Sequence, residues 1–225
     1  VTYTGDVRVG GPADVLELPS LTLIKLAVGP MDNNAYLLRC RATGGTVLVD
    51  AAAEPERLLA LIDEHAAGRL DRVVTTHRHQ DHWGALSAVV AATGARTAAG
   101  RPDAPGIPVP TDDLLEDGDT VRVGEEGSGA ARLRVVALVG HTPGSVALVL
   151  EESEPEPHVL TGDSLFPGGV GRTGSPADFI SLLDDVEREL FGTLPDAAVV
   201  HPGHGRDTTL GAERPALGAW RARGW

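Results

Sequence analysis

The stretch Thr76-His77-Arg78-His79-Gln80-Asp81-His82 constrains this chain more than any other. Four strong metal-ligating side chains, His77, His79, Asp81 and His82, fall within six residues, directly after the β-branched run Val73-Val74-Thr75-Thr76. That run reads as a short buried strand, and Trp83-Gly84-Ala85-Leu86 opens a helical pattern. The ligands therefore sit where a strand gives way to a loop. In extended backbone, residues two apart point the same way, so His77 and His79 can share one ion. Asp81 and His82 come as the chain turns and face a second point a few ångströms away. Imidazoles with a carboxylate suit zinc or iron better than calcium or magnesium, which prefer oxygen shells. A lone His or Asp in a loop is ordinarily a surface residue or a cap. Three histidines and an aspartate at this spacing are not accounted for that way.

The 225 residues, 42% of them hydrophobic, suffice for one sizeable domain, and no linker or internal repeat divides residues 1–225. The net charge of −13, from 19 basic and 32 acidic residues, repels phosphate backbones and argues against a nucleic-acid partner. Cys40 is the only cysteine, so no intrachain disulfide forms, as suits a reducing cytoplasm. The first residues show no signal-peptide pattern, and no apolar run approaches the ~20 residues of a membrane span. A cytoplasmic location is expected. Lys25 is the only lysine in a chain rich in arginine and alanine, a pattern read as compositional bias.

Thr2 to Val9, Val15 to Leu18, Leu21 to Val28, Asn34 to Arg39 and Thr46 to Val49 read as strands separated by Gly/Pro turns. Asp50 closes the last of these, either as a helix cap or as a carboxylate that orients a ligand imidazole from below. Helical spacing covers Glu54 to Ala67 and Trp83 to Thr93. His65 reads as a solvated residue near a helix end. The Pro-, Asp- and Gly-rich stretch from Gly100 to Asp119 reads as a loop, a surface excursion or one wall of a cleft. Thr120 to Val123 and Leu133 to Leu138 are expected strands, joined by a flexible Glu125–Gly129. Val146 to Leu150 and His158 to Leu160 form a hairpin across an acidic turn at 151–157, with His158 exposed. Ala177 to Leu194 is an amphipathic helix, Ala197 to Val200 a last strand, and Ala212 to Arg223 a closing helix interrupted by Pro215. Trp220 and Trp225 are expected to pack on the domain. Strands then helices, twice over, predict two packed sheets with helices outside.

Three later segments repeat one arrangement, an apolar strand followed by a small-residue loop bearing a ligand. They are Gly140-His141-Thr142-Pro143-Gly144 after Val135–Val139, Gly162-Asp163 after Val159–Thr161, and His201-Pro202-Gly203-His204-Gly205 after Val199–Val200. Glycine beside each ligand lets backbone approach a crowded centre. With the first motif, this order resembles the metallo-β-lactamase fold superfamily and, within it, the glyoxalase II-like hydrolases. The resemblance runs from about Asn34 to the final Gly-His. It implies an α/β fold, a four-layer αβ/βα sandwich of two mixed sheets flanked by helices. It further implies that His77, His79 and His141 bind one divalent metal, Asp81, His82 and His204 a second, and that Asp163 bridges them. Zinc is the expected metal, with iron the alternative. His201 is expected to support the ligands from behind or to be structural.

The function this resemblance implies is that of a dinuclear-metal hydrolase. A metal-bound hydroxide, steadied by Asp81, attacks the thioester or ester carbonyl of a small molecule. A bridging Asp163 points away from true β-lactamases, and Cys40 lies far upstream of every ligand segment. The acidic composition argues against the nucleic-acid-processing branches. In glyoxalase II the stretch after the bridging aspartate carries a Lys and a Tyr that hold glutathione. Here Arg172 matches the Lys in charge as a substrate contact, and Gly174 stands where the Tyr would be. The sequence runs to Trp225 without that enzyme's additional helical domain, so other thiol conjugates, esters or lactones are open. The alternatives are a mononuclear-iron persulfide dioxygenase, whose iron ligands match His77, His141 and Asp163, and a lactonase. A metal-stabilised structural protein fits less well, because seven ligands on four loops resemble an open two-metal site rather than a closed four-coordinate one.

Overall fold

The computed structural model describes residues 2–124, 129–150 and 156–224. In the first half run β1 (Asp14–Glu17), β2 (Leu21–Val28), β3 (Asn33–Cys40) and β4 (Thr46–Val49), then helix α1 (Pro55–Ala66). β5 (Arg72–Thr75), α2 (Leu86–Thr93), β6 (Arg96–Gly100) and β7 (Asp113–Leu115) come next. These seven strands make one sheet in the order β1-β2-β3-β4-β5-β6-β7, antiparallel from β1 to β4 and parallel from β4 to β7. The second half holds β8 (Thr120–Val123), β9 (Ala131–Ala137), β10 (Val146–Leu150), β11 (His158–Gly162) and a two-strand hairpin, β12 (Leu165–Phe166) with β13 (Gly169–Val170). It closes with α3 (Pro176–Asp185), β14 (Val199–Pro202), β15 (Thr208–Thr209), α4 (Leu210–Glu213) and α5 (Leu217–Arg223). The second sheet has six strands in the order β15-β14-β11-β10-β9-β8, with only β11 and β14 parallel.

Both faces of the sheets are covered, which is why β2 and β10 are buried along their whole length rather than alternating. Along β3, Tyr36, Leu38 and Cys40 face the second sheet, where they meet Val121, Leu133 and Leu148. Ala35 and Leu37 point the other way, onto Leu58, Ile62, Leu86 and Val89 of α1 and α2. On the far side, Val136, Val149 and Val200 pack under Phe179, Leu182, Leu190 and Trp220. The result is the four-layer αβ/βα sandwich of an α/β protein.

Local sequence explains the helix limits. Pro55 opens α1, and Ala67 and Gly68 end it in the left-handed region. Ser175 caps α3 by accepting the Asp178 N–H, with Pro176 in the first turn. Beyond Asp185 the helix widens to a π turn over Val186–Phe191, so the single helix expected over 177–194 is two segments. Pro215 divides α4 from α5 as expected, through a 3₁₀ turn at Arg214–Ala216.

Two expectations are corrected. Thr2 to Val9 forms no strand, because the Asp14 carboxylate captures the N–H groups of Thr4 and Gly5 at 2.7 and 2.9 Å and removes them from any ladder. His158 is buried, not exposed. It opposes Leu150 and Val199 in the second sheet, and its ring lies nearly parallel to that of His201. The Gly100–Asp119 stretch also holds β7 at the edge of the first sheet, beyond its reading as loop alone. Trp220 packs on Phe191 within the chain. The expectations for Glu125–Ser128, for most of the 151–157 turn and for Trp225 fall outside the described residues.

Candidate metal centre

β5 delivers Thr76 and His77 to the end of the first sheet, and His79 continues in extended backbone before a 3₁₀ turn at Gln80–His82. His141 lies just past β9, Asp163 past β11, and His204 past β14. Ligand segments from both sheets thus meet at one end of the sandwich. His77 Nε2, His79 Nδ1 and His141 Nε2 stand 3.1, 2.9 and 3.2 Å apart. Donor atoms of Asp81, His82 and His204 form a second group within 4.8 Å of one another. Asp163 touches both groups, with Oδ1 3.3 Å from His82 Nε2 and Oδ2 3.5 Å from both His141 Nε2 and His204 Nε2.

Four imidazoles are tied by Nδ1 and present Nε2 to the cluster. His82 Nδ1 lies 2.8 Å from Asp50 Oδ2, and His141 Nδ1 donates to the Arg172 carbonyl at 2.6 Å. His204 Nδ1 donates to the Met31 carbonyl at 2.8 Å. The Thr76 hydroxyl donates to Asp50, so its oxygen is free to accept from His77 Nδ1 at 3.1 Å. Anchoring one ring nitrogen fixes the tautomer and aims the other's lone pair inward. His79, exposed to solvent, is the exception and turns Nδ1 inward.

The electrostatics of these groups suit a cation. Burial, with His82 close by, holds His77 well below its usual range and therefore neutral. Burial would raise Asp163, but the imidazoles of His204 and His82 outweigh it and keep the carboxyl far below the ordinary range. Burial likewise raises Asp81, and the Asn33 amide, donating to Oδ2 at 2.9 Å, brings it down. Burial lowers His82, yet Asp50 and Asp163 push it up to about 10. A bound cation would take the place of that proton.

The residues fit divalent metal. Asp163 Oδ1 is buried with no hydrogen-bond partner, an orphaned acceptor that a cation satisfies. Donors about 2.0–2.1 Å from one tetrahedral ion stand roughly 3.3 Å from each other, close to the spacing of the first group. Gly203 makes room for this packing, since a Cβ there would lie 2.2 Å from Asp163 Oδ1 and 2.8 Å from His82 Cε1.

The seven residues expected to be ligands, His77, His79, Asp81, His82, His141, Asp163 and His204, are thus gathered in one place. Asp50 lies directly beneath His82. It is not the cap of α1, and it holds a left-handed backbone, φ 59°, while bonding the Thr76 N–H at 2.7 Å. His201 touches none of the seven and instead pairs with Asp207 and His158. Arg172 contributes its carbonyl to His141 and leaves its guanidinium exposed. Cys40 is buried between the sheets, and His65 is half-buried in the last turn of α1. Sequence reasoning does not mark Asn33 or Asp103. Asn33 reads in sequence as part of the Gly29–Asn33 turn, and its buried amide reaches Asp81 across 48 positions.

A model of the metallo-beta-lactamase superfamily matches residues 28–204. The hydroxyacylglutathione hydrolase of Fuscovulum blasticum is 36% identical over 175 residues, which are 77% of this chain and 62% of that protein. That of Cereibacter sphaeroides (strain ATCC 17029 / ATH 2.4.9) is 36% identical over 161 residues, 72% of this chain and 55% of that protein. The chain therefore spans about three-fifths of the length of the curated relatives it matches. Among solved structures, TTHA1623 in a di-iron-bound form is 34% identical, with a TM-score of 0.70 over 84% of this chain and 96% of that one. ETHE1 from Myxococcus xanthus is 30% identical, with a TM-score of 0.72 over 85% and 81%. The sandwich, the ligand segments in their order and a family match that runs through every one of them lead to one assignment: this chain belongs to the metallo-beta-lactamase superfamily.

Proposed function

We propose that this chain is a metal-dependent hydrolase that cleaves a thioester or ester of a small molecule at two divalent ions, most simply zinc. The observation that carries the reading is the convergence of Nδ1-anchored imidazoles on Asp163, a largely buried carboxylate within 3.5 Å of His141 in the first group and of His82 and His204 in the second. The similarity to hydroxyacylglutathione hydrolases supports the thioester class. The similarity to TTHA1623 in a di-iron-bound form keeps iron as the alternative metal.

His77, His79 and His141 would hold one ion, Asp81, His82 and His204 the other, with Asp163 between them. When bound, such ions polarise a carbonyl and lower the pKa of a coordinated water from 15.7 to about 7. Asp81, kept ionised by the Asn33 amide, would accept a hydrogen bond from a water held at such ions and orient it. Asp81 and Asn33 also line a cleft of about 300 Å³ with Pro30, Met31 and Ala53, room for a small acyl group. On the His141 side, Arg172 and Arg223 line a cleft of about 390 Å³, where a substrate's anionic end would be held. No described helix is long and apolar enough to cross a membrane, and the free thiol of Cys40 suits a cytoplasmic enzyme.

Elemental analysis of protein made without added metal, together with a panel of thioesters, esters and lactones, tests this. Two zinc ions per chain and thioester turnover are expected, with most turnover lost in Asp163→Ala and in Asp81→Ala. Full activity in either variant at unchanged metal content would sink the reading. One iron per chain with oxygen uptake on a persulfide would replace it with a dioxygenase.

A further inference from the structure

Asp103 sits in Arg101-Pro102-Asp103-Ala104-Pro105, a stretch whose sequence announces only a loop. Its side chain is 0% exposed. An ionised carboxylate is costly to bury unless donors surround it, and three do. Oδ2 accepts from the Arg78 backbone N–H at 3.0 Å and from the Thr142 hydroxyl at 2.5 Å. Oδ1 accepts from the Gly144 backbone N–H at 2.9 Å. The Arg78 guanidinium stands off at 3.9 Å. Gly144 must be glycine for this approach, since a Cβ there would meet the Asp103 backbone nitrogen at 2.5 Å.

The positions of these donors give the carboxylate its meaning. Arg78 lies between His77 and His79, and Thr142 is next to His141. One buried side chain therefore bonds both loops that bring the first group of nitrogens together. A backbone bond from Val146 N–H to Thr76 O at 2.9 Å also ties these loops, on the strand side of the ligands. Asp103 touches nothing in the second group. Asp50 does the corresponding work there, bonding Thr76 and His82.

We propose that Asp103 is the positioning residue of the first metal position, holding loop 76–79 in register with loop 141–145 so that His77, His79 and His141 meet at one ion. The inference rests on the two-metal reading of the site. Asn is nearly isosteric with Asp but has one acceptor oxygen. In either amide orientation an NH2 faces the backbone N–H of Arg78 or of Gly144. With its oxygen at the Oδ2 position the amide keeps Arg78 and Thr142 and loses Gly144, and with its oxygen at Oδ1 it keeps Gly144 and loses Arg78, so one backbone strut between the loops is lost either way.

The test is chelator competition on metal-loaded protein, with ions per chain counted and folding followed by circular dichroism. A His204→Ala background isolates the first position and a His79→Ala background the second. In the first background Asp103→Asn should weaken zinc binding by about 10–100-fold, the range for groups that orient ligands. In the second background the affinity should stay within about twofold. Thr142→Val, which removes one strut and keeps the volume, should weaken only the first position and to a lesser degree. It decides the matter if Asp103→Asn fails to fold. Equal weakening in both backgrounds, or a lowered melting temperature with both affinities unchanged, would reduce Asp103 to general scaffolding and overturn the proposal. A parent that holds no pair of ions overturns the metal reading first, and this one with it.

Discussion

His158 and His201 carry the same side chain as the five imidazoles of the cluster, and their surroundings give them different work. His201 donates Nδ1–H to Asp207 at 2.7 Å, which leaves Nε2 to accept from His158 Nδ1–H at 2.9 Å. Burial, reinforced by His201 beside it, lowers His158 to about 4. In the unfolded chain His158 titrates near 6.5. Between these values the unfolded state binds the proton and the folded state does not, so stability falls as pH drops from about 6.5 to 4. The full shift corresponds to roughly 3 kcal/mol. His158→Gln removes this sensitivity. At pH 7.5 the variant should be less stable than the parent for want of the imidazole pair, and acidification to pH 4.5 should narrow the gap by up to about 3 kcal/mol. Urea unfolding of both proteins across that range measures it, and a gap independent of pH would refute the assignment. Residue identity alone could not separate these histidines. Ligand spacing and adjacent glycines mark His77, His79, His141 and His204, whereas the burial of His158 is set by a strand partner 41 positions away.

Among elements, the segment that carries His204 has backbone bonds at Gly203 and Asp207, and buried side chains add to them. Lys25, fully buried on β2, donates to the Gly205 and Gly5 carbonyls at 2.8 Å each and to Asp207 at 2.6 Å. Asn34 bonds the carbonyls of Pro202 and Gly205, and the Tyr36 hydroxyl bonds Pro202 as well. Burial pulls the Lys25 ammonium below its usual range against the attraction of Asp207. Lys25→Met leaves Asp207 short of its cation, while the Gly205 and Gly5 carbonyls each keep one donor, the Asn34 amide and the Asp207 N–H. Breaking one side of a buried pair costs about 3–5 kcal/mol. The low end is expected, because Tyr3 and His201 still serve Asp207. A drop of about 3 kcal/mol is roughly 6–12 °C in Tm for a chain of this size. Adding Asp207→Asn should recover part of it. A loss below about 1 kcal/mol would mean that Tyr3 and His201 suffice without the ammonium. This clamp marks the limit of what sequence makes legible. Most strands and helices are legible, since period and Gly/Pro breaks are local signals. The only lysine reads as compositional bias because its partners lie 20, 180 and 182 positions away. The irregular Thr2–Val9 reads as a strand for the same reason, as Asp14 and Lys25 take its polar groups.

At the scale of the whole molecule, the candidate centre joins the two halves of the sandwich. His77, His79, Asp81 and His82 come from the end of the first sheet, and His141, Asp163 and His204 from the second. The apolar layer between the sheets holds them along their length. At the ligand end, loops and polar side chains must do so. There, five imidazoles and two carboxylates crowd a small space, and Asp163 keeps an unsatisfied oxygen. Two divalent ions would supply the missing attraction from both sides and offset part of the net charge of −13. An ion present at a thousand times its Kd stabilises the folded state by about 4.1 kcal/mol, so two contribute about 8 kcal/mol. Chelation should therefore lower the melting temperature by more than about 10 °C, and returned zinc should restore it. The effect should reach both sheets, because the ions tie loops from each. Hydrogen exchange at Thr76–His82 and at Gly203–His204 should accelerate together on stripping, while the strand interiors of β3 and β10 remain protected. An unchanged melt, or faster exchange confined to one sheet's loops, would show that the sandwich closes without the ions and that they bridge nothing.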